Sequence, residues 1–577
     1  MSDRRSLSDH RPLSGRRRRR VAVVAVVVAI ATALTGCVSI PSSGPVDQGL
    51  PIAAGTGGTS FEVNPEGPEK GASQLDIVKG FVAAFQSSTG GYSVAKQYLS
   101  AAFADKWQPQ QSVQVRSGAP RYVQQADGTI SYAFNTSATV DAVGTFKQAS
   151  APVSLNFGFV KEGKQWRISS APNGIVLSDQ TFQRVFIKHP IYFLDPTGRN
   201  LVPDLRWFAL GTAPTRIVSA LLNGPPQWLE GAVRTYFPDG TQLSDSGSLV
   251  TVDAGIARVD LTKQASTASG PQQQLMLLQL TDSLRSVASI SRVEISVDGA
   301  PLAISDLGST GPQPDPKVDG QALVFWRNQF GFYANGKVAP VPQSSRVVAL
   351  DPTAATMSSD GDDVAVLGAA GVSLVSKSAA PAKLLDARPN LIAPALDQDG
   401  FVWTVPSDQP NAIMATDPSG KQNPVAPSLP ADATVASLQI SRDGARIAFL
   451  LATGTGPRLL VAAILRDSKR VPVGIGPSIL DVPFTGGDAE AVTWVDELTV
   501  ATLVTSGTQS QVVTFAIGGQ RTDLASLVES RSIVGGNGLD GLRVLSDDGL
   551  LYSYPGSSWQ STKARVGFIA TQRGISG

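Results

Sequence analysis

Nucleophiles and metal ligands are scarce in this chain, which has one cysteine, Cys37, and two histidines, His10 and His189, in 577 residues. A lone thiol cannot close a disulfide within its own chain, and zinc centres built on Cys and His clusters are excluded. The thiolate is nonetheless a good nucleophile, so Cys37 is the residue best suited to covalent modification. His189 stands in Lys188-His189-Pro190-Ile191-Tyr192-Phe193, just before a strand-like run and with no serine-elbow motif beside it. It is expected to be a structural histidine at a domain junction and not a catalytic base. Carboxylates alone form no recognisable catalytic motif. No catalytic residue, cofactor or metal site is therefore predicted, and the chain is expected not to be an enzyme.

The elements around Cys37 give its thiol a specific use. Residues 1–20 are polar and basic, ending in the run Arg16 to Arg20, and Val21 to Leu34 are almost wholly apolar. A basic region, a short apolar region and small residues before a cleavage point make a secretory signal peptide. The apolar run falls short of the roughly 20 residues that span a bilayer comfortably. Leu34-Thr35-Gly36-Cys37 resembles the bacterial lipobox. The resemblance implies a diacylglyceryl group on the Cys37 thiol, cleavage between Gly36 and Cys37, and acylation (a palmitate, for example) of the freed amine. Each buried methylene contributes about 0.8 kcal/mol and one chain alone binds marginally, so two acyl signals anchor stably. The expected location is the outer face of the cytoplasmic membrane, with membrane lipid as the first partner through Cys37.

Cleavage also changes the charge. The whole chain carries 48 Lys plus Arg against 47 Asp plus Glu. Removing the eight arginines and two aspartates of residues 1–36 leaves 40 basic and 45 acidic side chains, a net charge of −5. No basic patch remains for nucleic acid, so that partner is excluded.

Beyond the signal peptide (1–36), the remaining length exceeds what one hydrophobic core serves, so several domains are expected. Residues 37–71 are rich in Ser, Gly and Pro and are expected to form a flexible tether. Residues 72–180 begin with helical spacing at Ile77, Val78, Phe81, Val82 and Phe85, followed by a short helix over Val94–Leu99. Alternating segments come next, at Val113 to Val115, Thr129 to Thr139 and Val153 to Phe157, ending in the hairpin around Gly163. Helices followed by a meandering sheet predict an α+β domain, whose order is similar to that of the nuclear-transport-factor superfamily. Residues 183–305 predict strands at Ile191–Asp195, Leu249–Val252, Ala257–Leu261 and Val293–Val297, with helices over Thr212–Leu222 and Gln272–Leu284. The segments Tyr192-Phe193, Leu222-Asn223-Gly224-Pro225, Phe237-Pro238-Asp239-Gly240-Thr241, Val259-Asp260-Leu261 and Ile295 to Pro301 resemble the GerMN domain, implying an interaction module of cell-envelope proteins.

A Gly/Pro-rich linker is expected over 306–320. Residues 321–577 then repeat themselves. Ser358-Ser359-Asp360-Gly361, Asp397-Gln398-Asp399-Gly400, Ser441-Arg442-Asp443-Gly444 and Ser546-Asp547-Asp548-Gly549 each precede a strand, and Asp496-Glu497 before Leu498 is a degenerate copy. The intervals are 39, 44, about 53 and about 52 residues. One Asp-Gly hairpin every 40 to 50 residues predicts an all-β propeller of five or six blades, its aspartates serving the turns.

Lipobox, tether, α+β domain, GerMN-like domain and propeller, in that order, resemble the LpqB lipoproteins of actinobacteria. The resemblance implies an accessory of the MtrA–MtrB two-component system that binds the extracytoplasmic domain of its sensor histidine kinase. Such a protein would modulate signalling in envelope homeostasis and cell division. The other class of function left open is a cell-wall glycan or peptide binding protein using the central face of the propeller, with Trp326, Trp403 and Trp494 as stacking platforms.

Overall fold

A computed structural model describes residues 65–573, apart from 246–248, 379, 426 and 485. The signal peptide and the lipobox residues Leu34, Thr35, Gly36 and Cys37 lie outside the described residues.

The first domain opens with the helix Gln74–Ala83. Ser73 caps it, accepting from the Asp76 amide while the Asp76 carboxylate accepts from the Ser73 amide, a reciprocal capping box. Its apolar side buries Ile77, Val78 and Phe81, and Phe81 packs on Phe85 and Trp107 at centroid distances of 4.7 and 5.0 Å. A second helix runs over Thr89–Lys96, earlier than the expected segment. The sheet is a meander, in the order 165–170, 146–162, 130–141, 112–124, and Ile175–Ser178 then returns parallel to the Ser112–Gln124 strand. Alternation, with Ile130, Tyr132, Phe134, Ala138 and Val140 inward, places one face on the helices.

The GerMN-like domain pairs a hairpin, Phe186–Leu194 with Leu201–Ala209, against helices Ala213–Leu222 and Gly270–Leu284. Its second sheet sets Ile256–Leu261 parallel to Arg292–Val297, with the longer helix lying between them in sequence. The strand Leu201–Ala209 was not anticipated in the sequence. All nine of its residues are buried, including Asp204 and Arg206, which pair with each other, so its polar positions do not mark a solvent face. Both of its faces meet protein. Trp207 and Ala209 belong to the core of the first domain, Val202 and Phe208 to that of the GerMN-like domain.

Among the described residues six blades follow, each built on a four-stranded meander, with a fifth strand added in blade 2 (Thr571–Gln572) and in blade 5 (Leu527–Val528). Their inner strands are Phe568–Ile569, Ala354–Met357, Ala395–Leu396, Thr434–Ile440, Asp488–Trp494 and Ser530–Val534, each touching the next around the ring. Blade 1 is closed by the far end of the chain, since Phe568–Ile569 pairs with the strand Ala322–Trp326. Thr571–Gln572 then runs parallel beside blade 2. The propeller therefore has six blades, at the upper end of the expected range.

The turns behave as expected of their residues. In Ser441-Arg442-Asp443-Gly444 the Ser441 hydroxyl donates to Asp443 at 2.6 Å and accepts from the Arg446 amide at 3.0 Å. Ser358-Asp360 and Ser546-Asp548 repeat the hydroxyl-to-carboxylate bond. Gly361, Gly400, Gly444 and Gly549 have φ between 69 and 84°, a conformation that side chains resist. Their blade positions differ, however. The first three turns join an inner strand to its neighbour, whereas the turn at Gly549 joins the second and third strands of blade 6. It resembles the others in turn chemistry alone.

Candidate functional site

The buried charge of the molecule concentrates where the GerMN-like domain, the linker and blades 3 to 5 meet. The apolar frame comes first. One continuous core runs from Ile191, Ile217, Leu221 and Leu261 of the GerMN-like domain into Ala445, Leu459, Val461 and Phe515 of blades 4 and 5. The turn Gln227–Leu229 seats on the outer strands of blade 4. Leu205 lies against the turn at Gly518, where a Cβ would come within 2.8 Å of the Leu205 carbonyl oxygen and φ is +79°. Only glycine fits there.

Inside this frame Glu497 joins three segments. One carboxylate oxygen accepts from the Tyr192 hydroxyl of the GerMN-like domain, and the other accepts from the Asp315 amide of the linker at 2.9 Å. The Glu497 carbonyl accepts from Arg446 at 2.7 Å. Burial, reinforced by the nearby Asp315 charge, pushes the Glu497 carboxyl up to about 7 against the opposing pull of Tyr192 and Arg446. Burial and the adjacent Glu497 together raise the Tyr192 phenol far above its usual range. Behind this contact lies Asp282, raised to about 6, mainly by burial, although Arg285 reaches it at 2.8 Å.

Arg446 is fully buried, stacked 4.9 Å from the Trp494 ring and paired with Asp443. Arg442 reaches the linker, donating to the Pro316 carbonyl at 2.9 Å and facing Asp315 at 3.5 Å. Asn537 of blade 6 holds Val318 from both sides, donating to its carbonyl at 2.9 Å and accepting from its amide at 3.0 Å. Arg573, which follows the closing strand, donates to the carbonyls of Ile440 and Ser441 in blade 4. Burial lowers its pKa to about 10, so it stays charged at neutral pH. Linker and chain end thus converge on the same end of the propeller.

His189 is 2% exposed. Its Nδ1 lies 2.8 Å from the Ser286 hydroxyl, its ring lies 6.3 Å from that of Phe208, and burial lowers its pKa to about 4. It is a neutral packing histidine at physiological pH. Trp403 and Trp494 are core residues, donating to Asp397 at 2.9 Å and to the Gln439 carbonyl at 3.4 Å. Of the three candidate stacking platforms Trp326 alone is half-buried, and Arg327 already covers its ring at 4.2 Å. Among the described residues no cluster of three or more His, Cys, Asp or Glu is placed to hold a metal ion. No described helix is long and apolar enough to cross a membrane. In the sequence Tyr192, Arg442, Arg446 and Glu497 stand out only as motif, turn or strand residues; their contacts with one another and with the linker, and Arg573, were not foreseen. One signal was present, because the degenerate turn, with Asp496-Glu497 in place of Asp-Gly, touches the GerMN-like domain through Tyr192.

Three family descriptions match in chain order: the N-terminal domain of lipoprotein LpqB over residues 67–183, the Germane domain of sporulation and spore germination over 190–303, and the LpqB beta-propeller domain over 327–567. Lipoprotein LpqB of Cutibacterium acnes is 34% identical over 285 residues, which is 49% of this chain and 48% of that protein, so this match spans about half the relative. Lipoprotein LpqB of Mycobacterium tuberculosis is 27% identical over 541 residues, covering 83% of this chain and 87% of its own. The Streptomyces coelicolor protein of the same name is 28% identical, covering 79% and 81%. Among solved structures, the first GerMN domain of Bacillus subtilis GerM has 19% identity and a TM-score of 0.18, covering 20% of this chain and 86% of that one. With an LpqB N-terminal domain, a Germane domain and an LpqB propeller in that order, this chain belongs to the family of LpqB lipoproteins.

Proposed function

We propose that the protein is a non-catalytic accessory, lipid-anchored through Cys37 on the outer face of the cytoplasmic membrane, that binds and modulates the extracytoplasmic domain of a sensor histidine kinase. The observation that carries this reading is the continuous core between the GerMN-like domain and blades 4 and 5. Two interaction-type domains are fused into one composite surface, and their buried ionisable groups are engaged with one another. The kinase itself is what the LpqB resemblance implies. Tethering supplies a physical advantage, since confinement beside another membrane protein raises effective concentration and lets modest contacts suffice.

Two experiments test it. Crosslinking in intact membranes followed by partner identification is expected to recover the kinase with the wild-type chain. A chain lacking the propeller should lose it, and normal kinase regulation by a chain lacking both the propeller and the GerMN-like domain counts decisively against the reading. For the anchor, Cys37→Ala is expected to leave an uncut precursor or release the chain from membranes, read by fractionation and intact mass. Unchanged acylated mass with full membrane retention would sink it.

A further inference from the structure

The axis of the propeller is occupied by the chain itself. In a ring of blades each inner strand pairs outward with its own blade and turns its other edge to the axis. In blade 2 that second edge of Ala354–Met357 carries a strand from the far end of the sequence. Thr571 and Gln572 run parallel to it, opposite Thr356 and Met357, and the Arg573 amide extends the pairing to the Met357 carbonyl at 3.2 Å. Blade 4 meets the same segment. Gln439 on its inner strand donates to the Thr571 hydroxyl at 3.4 Å, and Arg573 donates to the carbonyls of Ile440 and Ser441. Blades 2 and 4 are not neighbours, so the chain end crosses the axial side of blade 3 between them.

Ring closure does not require this crossing. Phe568–Ile569 already completes blade 1 against Ala322–Trp326, and the Ala570 amide bonds the Leu323 carbonyl at 2.8 Å. Residues 571–573 lie beyond that closure, and three features mark them as an occupant of the axis and not part of its wall. Their ladder is two residues long. The Gln572 side chain bonds the segment entering blade 1, accepting from the Asp319 amide at 3.1 Å and donating to the Gln321 carbonyl at 2.8 Å. The third feature is Arg573, which is 5% exposed. Its terminal nitrogens go to main-chain carbonyls, and its Nε has no partner. Burial disfavours its charge, while Asp397 and Asp443 support it and Arg442 and Arg466 oppose it. An unmet buried donor and a buried charge without a bonded counter-charge both cost stability. The place is filled, but imperfectly.

The occupant shows what chemistry the place accepts. A free strand edge takes an extended backbone, and carbonyls flanked by carboxylates take a guanidinium.

We propose that the axial edge of blades 2 to 4 is a binding site for an extended peptide carrying arginine, and that the chain's own end occupies it as an internal competitor. A tethered occupant acts at roughly millimolar effective concentration. An outside peptide therefore gains the site only by binding more strongly than the chain end. The site belongs to the propeller axis, so the proposal is independent of which protein the composite surface binds.

The test uses the purified full chain in detergent and a fluorescent probe peptide with the sequence of residues 570–577, read by anisotropy. Wild type is expected to bind the probe weakly. A chain ending at Ala570 keeps the closing strand and is expected to bind it saturably, one per chain, at least tenfold more tightly. A probe with glutamine in place of its arginine is expected to lose tenfold or more, the size of a lost charge-assisted bond. Should shortening disturb the fold, Arg573→Gln in the otherwise intact chain weakens the internal competitor. That variant is expected to bind the arginine probe more tightly than wild type does. Arg565→Gln, on the outer strand of blade 6, removes the same charge away from the axis and should bind as wild type. Failure of both the shortened chain and Arg573→Gln to bind the probe at millimolar concentration overturns the proposal. Binding by wild type as tight as by either variant, or equal affinity for the two probes, also overturns it.

Discussion

Trp207→Ala is expected to destabilise the protein by about 3–5 kcal/mol, the range for removing a buried tryptophan. Trp207 is 8% exposed, its ring stands 5.4 Å from Phe146 and 5.1 Å from Phe182, and its Nε1 donates to the Gly518 carbonyl of blade 5 at 2.9 Å. The backbone adds a further tie, from the Trp207 amide to the Gly144 carbonyl at 2.9 Å. One side chain thus fastens the first domain, the GerMN-like hairpin and the propeller. Its loss should uncouple them as well as weaken them, so calorimetry is expected to split one unfolding transition into an early N-terminal event and a later remainder. Trp207→Phe separates the two contributions. It keeps the ring packing and strands the Gly518 carbonyl, at a cost of about 1–3 kcal/mol. A melting profile for Trp207→Ala that matches wild type rules out this residue as the fastener.

The second large effect concerns pH at Glu497. Its carboxyl titrates near 7 in the folded chain and near its ordinary 4.5 when unfolded. Between those values the folded state binds more protons than the unfolded state, and stability therefore falls as pH rises. The contribution is fully present below about 4.5 and lost above about 7, with an upper bound of roughly 3 kcal/mol at 1.36 kcal/mol per pH unit. Asp282 acts in the same direction, over the span from 3.8 to about 6. Carboxylates held low by their own turns, such as Asp417 and Asp548, act oppositely and at lower pH.

The difference between Glu497→Gln and wild type isolates the residue. The amide lacks one acceptor for Tyr192 or Asp315, an offset that does not vary with pH. On top of that offset, the stability of Glu497→Gln relative to wild type is expected to rise steadily from pH 5 to pH 8. A difference that is flat across this range shows that the carboxyl titrates normally. Accelerated amide exchange around Asp315 and Tyr192 at pH 8, in wild type only, would place the effect at this junction.

Much of the architecture was legible because its causes are local. The helix at Gln74–Ala83 follows from the spacing of apolar residues such as Ile77, Val78 and Phe81. The Asp-Gly turns follow from side chains that bond their own backbone, and their recurrence revealed a propeller before any strand was placed. The lipobox-like segment Leu34-Thr35-Gly36-Cys37 is likewise contiguous, and the expectation of lipidation at Cys37 rests on sequence alone.

The rest was decided by the tertiary structure, for three physical reasons. A strand buried on both faces has no solvent side, so in Leu201–Ala209 the apolar run is broken only by Asp204 and Arg206, a buried pair, and the strand was missed. Repeat counting follows the chain, whereas ring closure pairs its ends, so Phe568–Ile569 completes a blade begun at Ala322 and the number of blades was settled only in three dimensions. Ionic partners far apart in sequence leave no local trace, and Tyr192 and Glu497 are separated by 305 residues. Composition and spacing pointed to one thiol suited to modification, and the family resemblance implied interaction modules behind it. Only the folded molecule shows that two of those domains share a core, with their buried charges gathered at the seam.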